Sequence, residues 1–116
     1  MAESYELGKI GEELAVSYLQ KLGYKILEQR WHDHHLEIDI LAHDLETNEL
    51  VSAEVKTRKS GDFGAPEDAV DTKKIRRTVY ATDFYVKLHQ IPLPVRFDIF
   101  SIIIPENGKP NITHIK

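Results

Sequence analysis

The chain contains no cysteine. Disulfides, thiolate zinc sites and thiol nucleophiles are therefore excluded, and a reducing, cytoplasmic setting is the expectation. No apolar run approaches the roughly 20 residues of a membrane-spanning helix. The opening Met-Ala-Glu-Ser-Tyr-Glu is not the pattern of a secretory signal, so no membrane association is expected. Repeats, linkers and low-complexity stretches are absent as well. Positive charge is also in short supply. The net charge of −4 argues against bulk electrostatic binding of nucleic acid.

What is present fits one domain over residues 1–116 with a modest core. The hydrophobic share of 41% and the charged share of 29% are globular values, not those of a disordered chain. The charge is unevenly placed. Residues 1–54 hold 4 basic and 12 acidic side chains, whereas residues 55–116 hold 11 basic and 7 acidic. An acidic half for metal and a basic half for phosphate would suit one enzyme, and chance asymmetry accounts for the same numbers equally well.

The most informative stretch runs from Leu36 to Arg58. Two segments alternate apolar and polar residues, the period of a strand. They flank Asp44-Leu45-Glu46-Thr47-Asn48-Glu49, which reads as a turn. A four-residue turn over Leu45–Asn48 sets Asp44 against Glu49, His43 against Leu50 and Leu41 against Ser52. Continued, it sets Asp39 against Glu54 and Glu37 against Lys56. The opposite face pairs Ala42 with Val51, Ile40 with Ala53 and Ile38 with Val55, and belongs in a core. Directly opposed side chains have Cβ atoms about 5 Å apart. Two carboxylates that close repel unless a proton or cation lies between them, and a hard divalent cation is the simplest resolution.

Around this hairpin, residues 3–22 read as an amphipathic helix. Leu7, Ile10, Leu14, Tyr18 and Leu22 form its stripe, Ala15 and Leu19 widen it, and Gly23 stops it. At about 100° per residue, Glu12 falls on the flank of the stripe and Glu13 toward solvent. On pattern alone Glu12 reads more readily as a solvated residue than as a site residue. Tyr24–Gln29 is a first strand. Arg30-Trp31-His32-Asp33-His34-His35 reads as a solvated loop, because its histidine spacing suits no metal motif. Trp31 reads as a core plug. Arg58–Pro66, with two glycines and a proline, is a loop, and a helical turn follows over Pro66–Val70. Asp71 or Thr72 caps a helix reaching about His89. Val79, Tyr80, Phe84, Tyr85, Val86 and Leu88 should be largely buried on it. Lys73, Lys74, Arg76 and Arg77 in its first turns oppose the helix dipole. Phosphate contact would explain them, and a solvated face stands beside that reading. Gln90–Pro94 is an extended connector. Arg96–Ile104 is a strand, Asn107-Gly108-Lys109-Pro110 a turn, and Asn111–Ile115 a last strand. The expected fold is α/β of the α+β kind: a mixed central sheet flanked by helices, in the order α-β-β-β-α-β-β.

Glu12, Asp39, Glu54 and Lys56 are the parts a phosphodiester hydrolase needs. Carboxylates hold Mg²⁺, which polarises phosphate and acidifies water, and a nearby lysine offsets charge on the phosphoryl oxygens. Glu54 and Lys56 lie two apart on a strand and point the same way. The quoted residues also resemble a known family. Gly8-Lys9-Ile10-Gly11-Glu12-Glu13-Leu14-Ala15, Glu37-Ile38-Asp39 and Glu54-Val55-Lys56-Thr57-Arg58 are similar to the motifs of the YraN-like family of endonuclease-like proteins, within the PD-(D/E)xK nuclease superfamily. Phe63-Gly64-Ala65-Pro66, Lys73 and Arg96-Phe97-Asp98 match later positions. Leu36 stands where the family has glycine, Asp39 follows isoleucine rather than proline, and the last turn is longer.

The resemblance implies a restriction-endonuclease-like fold similar to Holliday-junction resolvases. It implies Asp39 and Glu54 as metal ligands, Lys56 as the catalytic lysine and Glu12 as a supporting acid that joins the ligands. The expected function is a Mg²⁺-dependent endonuclease, with Mn²⁺ as a substitute, cutting branched or damaged DNA. Arg58 and Lys73 would contact the DNA backbone, and a homodimer fits the junction-cutting relatives. The alternative is a non-catalytic nucleic-acid- or partner-binding module that keeps the nuclease fold.

Overall fold

Strand alternation and turn chemistry set the order of elements. The computed structural model describes residues 2–60 and 72–116. It contains α1 (Ala2–Lys21), β1 (Lys25–Asp33), β2 (Leu36–Asp44), β3 (Glu49–Lys59), α2 (Thr72–His89), β4 (Val95–Ile104) and β5 (Asn111–Ile115). The order α-β-β-β-α-β-β is the expected one. The strands form one mixed sheet, β1-β2-β3-β4-β5. β3 and β4 pair in parallel and the other neighbours are antiparallel. Among the described residues no helix is long and apolar enough to cross a membrane. The helical turn expected over Pro66–Val70, the Phe63–Pro66 motif, Asp71 and most of the Arg58–Pro66 loop lie outside the described residues.

The β2–β3 hairpin has the expected register from Asp44↔Glu49 to Ile40↔Ala53. Its turn is built by Asp44. The Asp44 carboxylate accepts from the backbone N–H groups of Glu46 (3.0 Å) and Thr47 (3.3 Å), and Asn48 takes a left-handed φ of 60°. Beyond Ile40↔Ala53 the ladder departs from expectation. Ile38 packs among residues of α2, whereas Ile40 packs among residues of α1. The cause lies on both sides of Asp39. β1 and β2 pair at Gln29↔Ile40 and again at Trp31↔Ile38, with Arg30 between them at a φ of 51°. That backbone breaks the alternation, so Ile38 does not share a face with Ile40. Glu37 correspondingly pairs with His32 across β1.

Helix α1 ends in a Schellman arrangement, with Tyr24 N–H donating to Leu19 C=O, Gly23 N–H to Gln20 C=O, and Gly23 at a φ of 92°. The helix is turned relative to the expected stripe. Gly11, Ala15, Val16 and Leu19 are buried, whereas Ile10 and Leu22 are exposed. Small residues decide this, because they let the helix press against β3. A Cβ added at Gly11 would sit 1.7 Å from Thr57 Oγ1.

β1 is longer than Tyr24–Gln29, and the expected loop at Arg30–Asp33 is strand. An edge strand tolerates charged and histidine side chains along its length, which masks its period. Trp31 is partly buried against Tyr85 and Phe84, as a core plug should be.

Helix α2 presents Thr78, Ala81, Thr82 and Tyr85 to the sheet. Val79, Tyr80, Phe84 and Leu88, expected inside, are exposed. The sheet explains the choice, because β3 offers α2 the polar residues Ser52 and Glu54. Thr82 Oγ1 donates to Ser52 Oγ (2.8 Å) and Thr78 Oγ1 to Glu54 Oε1 (2.8 Å). Apolar side chains there would leave two buried polar groups unmet.

On the α1 side, the turn end of the hairpin is closed by Arg96. Its guanidinium contacts both oxygens of Asp98 (2.8 and 3.0 Å), Asp44 Oδ2 (3.0 Å), Glu49 Oε1 (3.0 Å) and Tyr24 Oη (2.7 Å). His114 Nε2 lies 2.7 Å from Asp98 Oδ2. Because an ionised carboxylate only accepts, that nitrogen carries the proton.

Candidate active site at the open end of the hairpin

At the other end of the hairpin, β2 and β3 part and Asp39 fills the gap. Its Oδ2 accepts from Val55 N–H at 2.9 Å, so a side chain continues the pairing that the backbone ladder gives up. Glu54, on β3, is 6% exposed. Thr78 donates to its Oε1, and Lys74 Nζ lies 2.7 Å from its Oε2. Burial, reinforced by the charge of Glu54, pushes the Asp39 carboxyl up to about 8, against the pull of the Val55 hydrogen bond and the Lys74 ammonium. Burial disfavours the Lys74 ammonium, but the hydrogen bond to Glu54 and the charges of Glu54, Asp39 and Glu37 leave its pKa raised. One ammonium thus contacts buried Glu54 beside half-buried Asp39.

Two cavities meet at Asp39 and Lys74. The first, about 470 Å³, is lined by Gly8, Glu12, Arg30, Asp39, Lys56 and Lys74 among others. Lys56 is exposed, two residues beyond Glu54. Glu12 lies on the flank of α1 and is bound by Arg30 Nε at 2.5 Å, while Glu13 faces solvent. The second cavity holds Asp39, Glu54 and Lys74 together with Arg76, Arg77 and Tyr80. The structure therefore brings Glu12, Asp39 and Lys56 to the first cavity and Asp39 with Glu54 to the second, Asp39 being common to both. Arg58 and Lys73 line neither cavity. Arg58 is half-buried opposite Ile103, and Lys73 is exposed on α2.

The family model of the uncharacterised protein family UPF0102 matches residues 11–102. A UPF0102 protein of Bacteroides thetaiotaomicron is 54% identical over 116 residues, covering 100% of this chain and 93% of its own. One from Parabacteroides distasonis is 51% identical over 108 residues, covering 93% and 88%. One from Flavobacterium psychrophilum is 49% identical over 102 residues, covering 88% and 84%. The chain belongs to the UPF0102 family. This is the YraN family that the sequence motifs point to.

In this UPF0102 member, sequence reasoning did not place Lys74 or Thr78 beside the acid pair, or Arg30 beside Glu12. A signal for the first two was present. The inward stripe Thr78–Ala81–Thr82–Tyr85 has helical spacing, and one turn back from Thr78 is Lys74, not Lys73. Arg30 had no such signal, because its place depends on the irregular backbone of β1.

Among the described residues, no group of three or more His, Asp or Glu side chains gathers at metal-holding spacing. Glu12 is taken by Arg30, which leaves Asp39 and Glu54 as the carboxylate pair. Mg²⁺ is commonly held by one or two carboxylates with water and substrate phosphate completing its shell, so the donor set fits that ion.

Proposed function

We propose that this UPF0102 protein is a divalent-metal-dependent nuclease that hydrolyses phosphodiester bonds of DNA at the open end of the hairpin. The observation that supports the reading best is the Asp39–Glu54 pair, held together in the fold at a cost in desolvation and charge repulsion and lining one cavity together. Residues with strongly shifted pKa in a cleft are candidates for function, because folding alone does not favour them. Asp39 and Glu54 would hold Mg²⁺, which supplies Lewis-acid polarisation of a phosphoryl oxygen and acidifies water when bound. Lys56, exposed at the edge of the first cavity, faces the charge that develops on the phosphate. Lys74 balances the acid pair while no phosphate is present, and its ammonium is within reach of both cavities. Glu12 fixes Arg30 at the cavity wall and acts as a positioning residue.

The test is a cleavage panel with Mg²⁺ and Mn²⁺ over single-stranded, duplex, flap and four-way DNA. Wild type should cut at least one form, and Asp39→Asn and Lys56→Ala should lose the metal-dependent cut while remaining folded. Equal cleavage by purified Asp39→Asn sinks the reading.

One observation favours a second reading, a binding module without catalysis. Lys74 already supplies a cation to Glu54, so the acid pair has a protein-borne partner. Binding that falls steeply with salt, ignores Mg²⁺ and leaves the melting temperature unmoved by Mg²⁺ would select it.

A further inference from the structure

Asp39 is a wall shared by two cavities; Glu12 and Lys56 line the first, and Glu54 joins Asp39 in the second. The second has a volume of about 470 Å³, within the size range of small-molecule sites. Asp39 and Glu54 form one side of it, and Arg76, Arg77 and Tyr80 of α2 form another. These three α2 side chains are exposed, with Tyr80 at 65%. Stability does not account for them. A tyrosine ring in solvent adds little by burial, and arginines in the first turns oppose the helix dipole. Neither arginine has an ion-pair partner among the described residues. What the three share is the chemistry of a nucleotide: a flat ring for a base and two planar forks for phosphate.

We propose that the second cavity is a subsite for one unpaired nucleotide beside the cut, with Tyr80 stacking on its base and Arg76 and Arg77 holding the phosphate. The inference rests on the function proposed above and names its substrate class, DNA with an unstacked base next to the acid pair. A base inside uniform duplex keeps both faces covered, whereas a base in a single strand, a flap or a junction arm offers a face. In a chain of net charge −4, bulk attraction is weak, so contacts of this local kind select the substrate.

The test uses full-length protein carrying Asp39→Asn in EDTA, so that binding is read without cleavage. The probe is a single-stranded oligonucleotide with one 2-aminopurine, compared with the same strand in duplex. The single strand should bind more tightly, with its fluorescence quenched by stacking. Adding Tyr80→Leu should lower single-strand affinity by about 5- to 150-fold, the equivalent of ~1–3 kcal/mol for one stacked base. It should also abolish the quench and leave duplex affinity and melting temperature unchanged, whereas Tyr80→Phe should keep both signals. Arg76→Ala and Arg77→Ala should each weaken binding and flatten its salt dependence. Full affinity and full quench in Tyr80→Leu overturn the subsite. If wild type still cuts DNA in that case, the nuclease reading stands without it. Loss of the quench in Tyr80→Leu, with no cleavage by wild type on any substrate, supports the subsite and removes the nuclease.

Discussion

At the turn end of the β2–β3 hairpin, one guanidinium reaches Asp44, Glu49 and Asp98. At the open end, one ammonium reaches Glu54 while Asp39 sits beside it with a raised pKa. The ingredients are the same, buried carboxylates and one long cation, but the outcomes differ. The planar fork of Arg96 meets several acceptors at once, as a lysine point charge does not. The Asp44 and Asp98 carboxyls are held below the usual range: burial alone would raise them, and the hydrogen bonds they accept, from Arg96 to both and from His114 to Asp98, overcome it. The turn end is thus held by hydrogen bonds that keep its carboxylates ionised. At the open end burial and the charge of Glu54 push the Asp39 carboxyl toward its neutral form, so ionising it costs stability that a cation is able to restore.

The largest expected effect breaks the closed end. Arg96→Met leaves three carboxylates without their partner and should cost about 3–5 kcal/mol in urea unfolding. A variant as stable as wild type would show that the cluster is not what holds the turn end. Acid should act on the same cluster. Because the folded pKa values of Asp44 and Asp98 are depressed, their stabilisation is present above about pH 4 and fades as pH falls through those lowered values. Thermal melts across that range should show the decline in wild type and a much shallower one in Arg96→Met.

The open end should behave with the opposite sign. Asp39 has a raised folded pKa, so its contribution is full below about pH 4 and is lost as pH rises toward about 8. Mg²⁺ at ten times its dissociation constant should return about 1.4 kcal/mol at pH 8, and Asp39→Asn should erase that response. In metal-free buffer Asp39→Asn should itself raise the melting temperature by about 4 °C, the equivalent of ~1 kcal/mol in a domain of this size. A lower melting temperature would mean that the Asp39–Val55 hydrogen bond outweighs the repulsion. The smallest effect belongs to Lys56→Ala. Its side chain is exposed, so stability should stay within about 0.5 kcal/mol while metal-dependent cleavage is lost. A drop beyond that range would make Lys56 structural.

Much of the hairpin was legible in advance. Asp44 shapes the turn through its own backbone neighbours, so five pairs of the register followed from local residues. The same register brought Asp39 near Glu54, and helix geometry put Glu12 rather than Glu13 at the site. Legibility stopped where burial depended on a partner surface. Tyr80 and Phe84 looked like core, yet Thr78 and Thr82 face the sheet, because Ser52 and Glu54 across from them need donors. The resemblance pointed to Lys73 for the DNA backbone and pattern gave no cation for Glu54 itself, a place the turn of α2 gives to Lys74.

By itself, then, the sequence determined the element order, the turn and the presence of an acid pair with a nearby lysine. Each of these depends on residues a few positions apart or on a strand period that one tight turn carries across. Only the tertiary structure decided which faces of α1 and α2 turn inward, where β1 breaks its alternation at Arg30, and which cation meets Glu54. Those choices are made between surfaces distant in sequence, where close packing at Gly11 and hydrogen-bond demand at Ser52 and Glu54 outweigh the hydrophobic pattern of either helix alone.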